Sequence, residues 1–438
     1  MAALSILAIG TMPTQGAAPA PWMALPFVLL LAGIAIMPFA AKHWWERHYP
    51  KVAVGLGALT VLFYVLLVKE PARMVHTGFE FVSFILLIGS LFVISGGIHI
   101  RVKGESTPAM NCVFLLIGAV LANLVGTTGA SMLLIRPWIR MNQYRVTGYH
   151  IVFFIFIVSN VGGCLTPIGD PPLFLGYLKG VPFWWMLERC FQGWLVGVGL
   201  ILAIFAVIDT LNFRKAPRQV RELQTREETW RFDGAHNLLW LGLVLFAVFL
   251  KPGLREALMV VASVGAYLTT PPSIRHSNGF HFGPIKEVAW LFAGIFATMV
   301  PALHYLELHA NELGMNTEMQ FFWITGTLSS VLDNAPTYLA LLAAAMGSSG
   351  LSLDNPADVQ TFIATRGGYL TAISLGAVFF GAMTYIGNGP NFMVKALAEQ
   401  ARVRVPGFFG YLLKYSLPVL VPVFVVIGLL FFHPRGAV

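Results

Sequence analysis

The sequence predicts an all-α polytopic membrane protein built from two inverted repeats, each with a re-entrant helical hairpin and a broken transmembrane helix. Three observations predict it: an apolar composition, a repeated nine-residue segment and the placement of the basic residues. Hydrophobic residues make up 57% of the 438 residues, charged residues 11%, and the mean hydropathy is +0.74. Soluble domains carry about 25% charged residues, so this composition places the chain in a lipid bilayer.

The predicted spans follow from apolar runs that recur along the chain. A helix needs about 20 residues to cross about 30 Å of hydrocarbon. Runs of suitable length lie at residues 24–40, 51–68, 79–98, 148–178, 189–209, 236–252, 256–269, 287–303, 367–400 and 410–432. Two further apolar stretches, 108–136 and 319–345, are interrupted in the middle by small and polar residues. These two stretches are predicted to be the re-entrant hairpins.

The repeat is the segment TPIGDPPLF at Thr166–Phe174, which recurs as TYIGNGPNF at Thr384–Phe392. Thr, Ile, Gly, Pro and Phe match, and Asp170 corresponds to Asn388. A second pair of segments, Gly118–Leu134 and Gly326–Leu342, aligns without a gap and in the same order. Polar, proline-broken copies in so apolar a chain predict a duplicated transport site made by interrupted helices.

The net charge of +8 is explained by topology. Tracing the predicted spans from an N-terminus outside the cell places 20 Lys and Arg residues in the cytoplasm and 8 outside, as the positive-inside rule requires. The basic residues therefore give no indication of a nucleic-acid partner. Residues 1–21 contain no Lys or Arg, so we expect an uncleaved, outward-facing N-terminus and not a signal peptide.

The polar segment Asn212–Asp233 contains six basic residues and no apolar run, and it predicts a linker between two halves. We divide the chain into an N-terminal segment with one transmembrane helix (1–50), a first inverted repeat (51–211), a cytoplasmic linker (212–235) and a second inverted repeat (236–438). Each half is expected to cross the membrane an odd number of times, which inverts one half relative to the other. Inverted repeats place a substrate near the bilayer midplane, where broken helices meet.

Side chains next to the helix breaks could form an ion site. Broken helices release backbone carbonyls, which together with side-chain oxygens suit a hard cation such as Na⁺. The candidate oxygen ligands are Thr127, Thr128, Ser159, Asn160, Thr166, Asn334, Thr384, Asn388 and Asn391. The N-termini of half-helices could instead receive an anion. A structural alternative is that prolines kink ordinary helices while Asn and Thr bond to neighbouring helices; four symmetric segments favour a site.

Two acidic residues, Asp170 and Asp333, fall inside these segments. A charge at the bilayer centre costs at least about 2.5–3.5 kcal/mol on insertion scales, so such a carboxylate is a functional candidate. Competition between a proton and Na⁺ for one carboxylate is the minimal chemistry of an antiporter. Either residue could instead cap the helix that follows it. Asp333 has fewer structural reasons to be present than Asp170, and both are expected to be exchanging carboxylates.

Three segments resemble the signature segments of the ion transporter superfamily: SNVGGCLTPIGDPP at Ser159–Pro172, LDNAPTYLALLAAA at Leu332–Ala345 and YIGNGPN at Tyr385–Asn391. This superfamily includes sodium-coupled dicarboxylate symporters, citrate transporters, arsenite carriers and D-type sodium/proton antiporters. The similarity covers most of the chain from about residue 50 and is greatest to the branch of bacterial sodium:proton antiporters and citrate transporters. The resemblance implies a homodimer whose transport part moves like an elevator.

The hairpin tips depart from the dicarboxylate symporters of this superfamily. Those proteins carry a Ser-Asn-Thr signature at each tip, whereas this chain has Val125-Gly126-Thr127 and Asp333-Asn334-Ala335. The second tip resembles the Asp-Asn of the D-type antiporters. An anionic Asp333 would repel a citrate carboxylate unless it were protonated or paired with a cation. No Lys or Arg lies within the four segments, since Arg136 follows the hairpin arm, so electrostatics favours a cation as the transported species.

The sequence therefore predicts a secondary transporter of the bacterial inner membrane, and not an enzyme, that exchanges Na⁺ for H⁺ and uses no other cofactor. Asp333, Asn334, Asn160 and Asp170 are expected to hold Na⁺. Two alternatives remain: Na⁺- or H⁺-coupled uptake of citrate or a dicarboxylate, and a scaffold or receptor with a transporter-like fold. His150, at the start of a predicted span, is an alternative proton-binding group that could sense pH.

Overall fold

The computed structural model describes residues 19–101, 107–215 and 231–433. Eight helices in these ranges are long and apolar enough to cross a membrane, which confirms an all-α polytopic membrane protein. The predicted orientation of the N-terminus depends on residues 1–18, which lie outside the described residues. Residues 216–230 of the predicted linker also lie outside them.

The helices follow one another in a simple order. They are α1 (Leu25–Ala40), α2 (Lys42–Phe63, continued by a π-helix over Tyr64–Val68), α3 (Pro71–Gly96), α4 (Pro108–Met141), α5 (Gly148–Ile157), α6 (Pro171–Leu178), α7 (Trp185–Lys215), α8 (Asn237–Val248), α9 (Leu254–Thr269), α10 (Pro272–Ser277), α11 (Gly283–Leu308), α12 (Glu318–Val331), α13 (Asn334–Gly347), α14 (Pro356–Phe380), α15 (Gly389–Gln400), α16 (Phe408–Tyr411, continued by a π-helix over Leu412–Leu420) and α17 (Val421–Phe431).

Several membrane helices are longer than their apolar runs. Helix α2 begins at Lys42 and α3 begins at Pro71, whereas the hydrophobic runs predict starts at residues 51 and 79. Helices extend past the hydrocarbon because backbone hydrogen bonds continue through their polar ends. The predicted boundary at residue 50, between the N-terminal segment and the first repeat, therefore falls inside α2.

Helix α4 is a hairpin that reverses at Gly126. This residue has φ 76° and ψ 155°, a conformation that glycine adopts without steric cost. The two arms pack against each other far from the reversal. The rings of Phe114 and Trp138 stack at 5.5 Å, and the Asn111 amide donates to Asn142 Oδ1 at 2.9 Å. In a straight helix, 24 residues would separate those two rings by about 36 Å. We call this element hairpin 1.

Helices α12 and α13 form the second hairpin, hairpin 2. Leu332 and Asp333 join them in extended conformations. Helix α12 packs against α14, and α13 packs against α11 and α14. The predicted hairpins at 108–136 and 319–345 thus correspond to real helical breaks, with bounds shifted by a few residues.

The two repeated nonapeptides form the same turn after a broken helix. The hydroxyl of Thr166 donates to the carbonyl of Asn123 in hairpin 1, and that of Thr384 donates to the carbonyl of Ser330 in hairpin 2, both at 2.6 Å. Each threonine oxygen also accepts, at 3.2 Å, the amide of the glycine three residues later. These equivalent bonds make Ser330 the structural counterpart of Asn123. This pairing differs by one residue from that of the ungapped sequence alignment.

A short ribbon joins the beginning of hairpin 1 to the end of the linker. Strand β1 (His99–Arg101) pairs antiparallel with β2 (Arg231–Asp233), with His99 opposite Asp233. Strand β1 precedes hairpin 1, and β2 precedes α8. The two segments therefore lie together, as the prediction that both are cytoplasmic requires.

Candidate functional site

The carboxylate of Asp170 is the meeting point of the four predicted segments. Its side chain is 1% exposed. Oδ1 accepts hydrogen bonds from the Thr127 hydroxyl at 2.7 Å and from Asn388 Nδ2 at 2.9 Å, and Oδ2 accepts one from Asn334 Nδ2 at 2.5 Å. These three donors belong to hairpin 1, the second broken helix and hairpin 2. Both halves of the chain therefore bind one carboxylate.

Local sequence explains why Asp170 points into the protein. Pro171 and Pro172 begin α6 and have no backbone N–H. The next two amides, of Leu173 and Phe174, bond to the backbone carbonyl of Asp170 at 3.1 and 3.4 Å. No helix amide is left for the side chain, and Asp170 makes no capping hydrogen bond. Its carboxylate is free to bind the other segments.

The shell around Asp170 is neutral. Among the described residues, no Lys, Arg or His forms an ion pair with this carboxylate. The hydrogen bonds of Thr127, Asn334 and Asn388 offset part of the cost of its burial. The oxygen and nitrogen of an amide are assigned from such bonds, and Asn334 Oδ1 is buried without a hydrogen-bond partner. Turning that amide would direct an oxygen to the position its nitrogen occupies.

A second group of amides connects the two broken helices. Asn160 Nδ2 donates to Asn391 Oδ1 at 2.7 Å, and Asn388 Nδ2 lies 3.2 Å from Asn160 Oδ1. Asn391 in turn donates to the carbonyls of Gly381 and Thr384 at 2.8 and 2.9 Å. The structure thus brings Asn160, Asn388 and Asn391 together, as the sequence predicts.

The remaining predicted ligands make no described hydrogen bond to the carboxylate. The hydroxyls of Thr166 and Thr384 are used in the turns that fix each broken helix to its hairpin. Ser159 pairs with the hydroxyl of Ser131 at 2.7 Å. Thr128 is half-buried and lines a small cavity between the tip of hairpin 1 and Leu91 and other apolar residues of α3. None of these four side chains bonds to Asp170.

Asp333 caps a helix, a role that the sequence makes less expected for Asp333 than for Asp170. Its carboxylate accepts the amide of Ala335 at 3.0 Å and caps α13. It is half-buried, and no described hydrogen bond joins it to Asp170. The expectation that capping explains Asp170 more readily than Asp333 is therefore wrong: Asp333 caps a helix, and Asp170 does not.

Comparison with known proteins agrees with a site for transport. Residues 16–432 match the model of a family described as "Putative citrate transport". The chain belongs to this family. A 46 kDa membrane protein of Mycobacterium leprae is 23% identical over 385 residues, which are 81% of this chain and 87% of that protein. Transporters of Mycobacterium tuberculosis and Mycobacterium bovis, both named as uncharacterized, are 24% identical over 388 residues, 80% of this chain and 86% of theirs.

Asn123 is not among the site residues that the sequence predicts, although the structure shows that it holds part of the site in place. Its buried side chain accepts the amide of Leu165 at 2.8 Å and donates to the carbonyl of Gly162 at 2.7 Å. Asn123 therefore ties the first arm of hairpin 1 to the broken helix that presents Asp170. The sequence signal that could have identified Asn123 is that it is the one amide side chain in the apolar run Gly118–Val125. A buried amide needs hydrogen-bond partners, so an amide in such a run indicates a structural contact.

His150, the predicted alternative proton-binding group, lies elsewhere. It begins α5, at the end away from Asn160, and its Nε2 is 3.2 Å from Asp209 Oδ1. Arg145 forms an ion pair with Asp209, and the Tyr149 hydroxyl donates to it at 2.7 Å. This buried cluster connects the base of hairpin 1 to α7, and no described contact joins it to Asp170.

Proposed function

We propose that the protein is a secondary transporter of the bacterial inner membrane that exchanges Na⁺ for H⁺ at Asp170. The observation that supports this proposal is a fully buried carboxylate, bound by neutral side chains of both halves and without a cationic partner among the described residues. Either a proton or Na⁺ can neutralise this group, and binding of one displaces the other. That competition couples the two fluxes.

The side chains that surround Asp170 suit both occupants. For Na⁺, the carboxylate, the Thr127 oxygen and the turned amide oxygen of Asn334 would supply ligands, while Asn160 Oδ1 holds Asn388 with its nitrogen toward Asp170. For a proton, the protonated carboxyl group could donate to the Asn334 oxygen that now lacks a partner. Within the described ranges, no three His, Cys, Asp or Glu side chains cluster as a metal site. One carboxylate with neutral oxygens fits a monovalent cation better than a divalent one.

The start of α6 also favours a cation over an anionic substrate. Helix N-termini bind anions through free backbone N–H groups. At α6 two of these groups are missing, in Pro171 and Pro172, and the next two bond to Asp170 O. The helix dipole still favours the negative charge of Asp170, but no amide is free for a substrate carboxylate.

The proposal includes the architecture that the sequence predicts. The two halves would be inverted, both hairpins would be re-entrant, and the protein would be a homodimer in which the site moves relative to a fixed part. The matching threonine turns after the two broken helices support the internal duplication. Inverted repeats place the site at their interface near the midplane, which agrees with hydrogen bonds from both halves to Asp170.

A second candidate function is Na⁺- or H⁺-coupled symport of citrate or a related dicarboxylate. The family description, which names citrate, favours it. Here Na⁺ or a proton at Asp170 would serve as the coupling ion, because it removes the repulsion between Asp170 and a substrate carboxylate. The same residue would then be essential, but transport would require citrate.

One vesicle experiment separates the two candidates. The full chain is expressed in everted membrane vesicles or reconstituted in proteoliposomes, and lumenal pH and labelled citrate are followed in parallel after a Na⁺ gradient is imposed. Antiport predicts Na⁺-dependent proton movement without citrate. Citrate accumulation driven by Na⁺, with no proton movement in its absence, would contradict antiport and support symport. If the folded protein moves neither, the scaffold or receptor alternative is favoured.

A further inference from the structure

Arg136 is half-buried and has no role in the proposed transport site. It lies in the second arm of hairpin 1, ten residues after Gly126, which is about 15 Å along a helix. Its Nη1 is buried and has no hydrogen-bond partner. No described Asp or Glu forms an ion pair with it. Arginine stays charged in proteins, so this charge requires a partner.

A second arginine, Arg275, lies four residues from a glycine that faces Arg136. Gly279, in the connection from α10 to α11, has φ 55°, and a Cβ there would lie 2.7 Å from Arg136 Nη2. Arg275 in α10 precedes this glycine by four residues. Its guanidinium lies over the Tyr267 ring at 4.0 Å, and Nη2 donates to the Thr270 carbonyl at 2.7 Å. Arg275 Nε is nevertheless buried without a hydrogen-bond partner.

Unpartnered, buried guanidinium groups are costly in a membrane protein. Burial of a charge is tolerated when hydrogen bonds and an opposite charge compensate for lost water. Neither arginine has a carboxylate partner among the described residues, and each has a buried N–H without a hydrogen-bond partner that could donate to another molecule. A planar guanidinium matches the oxygens of phosphate or carboxylate. The missing partner should therefore be an oxyanion.

We propose that Arg136, with Arg275, forms a binding site for the phosphate of an acidic phospholipid at the base of hairpin 1. The predicted topology puts this end of the hairpin at the cytoplasmic surface, and exposed Arg140 follows one turn later. Basic pockets between helices on the cytoplasmic side bind lipid headgroups. A soluble carboxylate offers similar oxygens, but the headgroup is already concentrated at that depth. This inference is independent of the transported ion.

The test measures lipid binding by the purified full chain in neutral detergent. Phosphatidylglycerol, phosphatidylcholine and citrate are titrated separately, and bound ligand is counted by native mass spectrometry alongside the melting temperature. We expect phosphatidylglycerol to bind and stabilise the wild type more than phosphatidylcholine does. Arg136→Gln should weaken its binding by about tenfold or more, since a charged hydrogen bond is worth at least about that factor. Arg140→Gln is the matched control and should bind like the wild type.

A second variant covers the possibility that Arg136→Gln fails to fold. Gly279→Ala keeps both charges but places a methyl group against Arg136 Nη2, and it should also weaken binding of phosphatidylglycerol. Binding of citrate alone, lost in Arg136→Gln, would support the oxyanion site and identify a soluble carboxylate as its ligand. Equal binding of both lipids, or equal losses in Arg136→Gln and Arg140→Gln, would overturn the proposal.

Discussion

The two hairpins are anchored by different contacts. Hairpin 1 is bonded near its tip: Asn123 holds the broken helix through Leu165 and Gly162, and the Thr127 amide donates to the Gly169 carbonyl at 2.7 Å. At the tip of hairpin 2, Asn334 reaches across to Asp170, while Asp333 bonds within its own helix. Each hairpin is bonded near its tip to the broken helix of its own half by a threonine turn, and the tip of hairpin 2 is also bonded to the carboxylate of the other half.

Hairpin 2 is instead fixed at its base by ion pairs. Asp354, in the loop that follows α13, accepts Lys179 at 2.8 Å and Arg73 at 2.9 Å, and Lys179 also pairs with Glu80 at 3.0 Å. Burial opposes the charge of Asp354, but Lys179 and Arg73 outweigh it and hold its pKa below the usual range. Burial likewise opposes the charge of Lys179, while Glu80 and Asp354 raise its pKa.

This difference predicts which tip would respond to an ion at Asp170. Under the proposed function, the bond from Asn334 to Asp170 depends on what occupies the carboxylate, because a bound proton or cation would change whether the amide presents nitrogen or oxygen. The bonds of Asn123 involve backbone groups and do not depend on it. We therefore expect hairpin 2 to be the element whose tip moves with ion occupancy.

The largest expected effect is that of Asp170→Asn. The amide keeps the size of the side chain but carries no charge for Na⁺ or H⁺ to neutralise. Exchange in vesicles should fall at least about a hundredfold, equivalent to about 2.8 kcal/mol. Asp333→Asn is the matched control and should keep most of the exchange, because asparagine also caps helices. The reverse result would return Asp333 to the centre of the site.

Next in size is Asn123→Ala. It leaves the buried amide of Leu165 without its present partner, and such an unsatisfied group costs about 1–3 kcal/mol; the carbonyl of Gly162 keeps the Trp194 indole as a donor. The half-life of the folded protein at a fixed elevated temperature should fall strongly. Ser330→Ala is the control in hairpin 2, because the turn uses the backbone carbonyl of Ser330. Similar losses in both variants would contradict the anchoring of hairpin 1 at its tip.

A smaller effect is expected for Asp354→Asn at the base of hairpin 2. Hydrogen bonds to charged groups contribute about 1.5–3 kcal/mol, and Lys179 keeps Glu80, so a loss of about 2 kcal/mol is expected. Because the folded pKa of Asp354 is lowered, its contribution is present above the unfolded value of about 4 and is lost below it. The pKa of Lys179 is raised, so its contribution to stability is present below about pH 10 and is lost above that pH.

The melting temperature should show this pH window directly. Between about pH 5 and 9 the difference between wild type and Asp354→Asn should stay constant, and it should shrink as the pH falls below about 4. A difference that disappears between pH 6 and 8 would contradict the assignment of this stability to the ion pairs of Asp354.

The smallest effect is expected for Asp333→Ala, which removes the cap of α13. Loss of an N-cap costs about 0.5–2 kcal/mol. Stability should decrease by about that amount, while Na⁺ affinity, measured from the concentration that gives half-maximal exchange, should change little. A tenfold loss of Na⁺ affinity with unchanged stability would indicate that Asp333 is a ligand.

Much of the fold is predictable because its signals are local. The length of each apolar run locates a span. Gly126, Pro171 and Pro390 mark helix breaks through their own backbone properties, whatever sequence surrounds them. The capping roles of the two acids are predicted the wrong way round, for a reason also present in the sequence. Pro171 and Pro172 remove the amides that Asp170 could cap, whereas the residues after Asp333 include Ala335, whose amide is available.

The contacts that build the site are harder to predict, because they join residues far apart in the chain. Asp170 and Asn334 are 164 residues apart, and Asn123 and Leu165 are 42. Symmetry of the repeats indicates that the four segments meet, but it does not show which side chains touch. The asymmetry between hairpins also lies in side chains: Asn123 has no amide counterpart at Ser330, although their carbonyls accept equivalent bonds.

The ribbon between β1 and β2 has a consequence for how the gene can be divided. It fixes the chain that enters the second half beside the start of hairpin 1, so the halves are aligned by paired backbone and not by the length of the intervening segment. A polypeptide cut within residues 216–230 keeps β1 in one fragment and β2 in the other. Two such fragments, produced from separate messages in one cell, are expected to reassemble into a working protein.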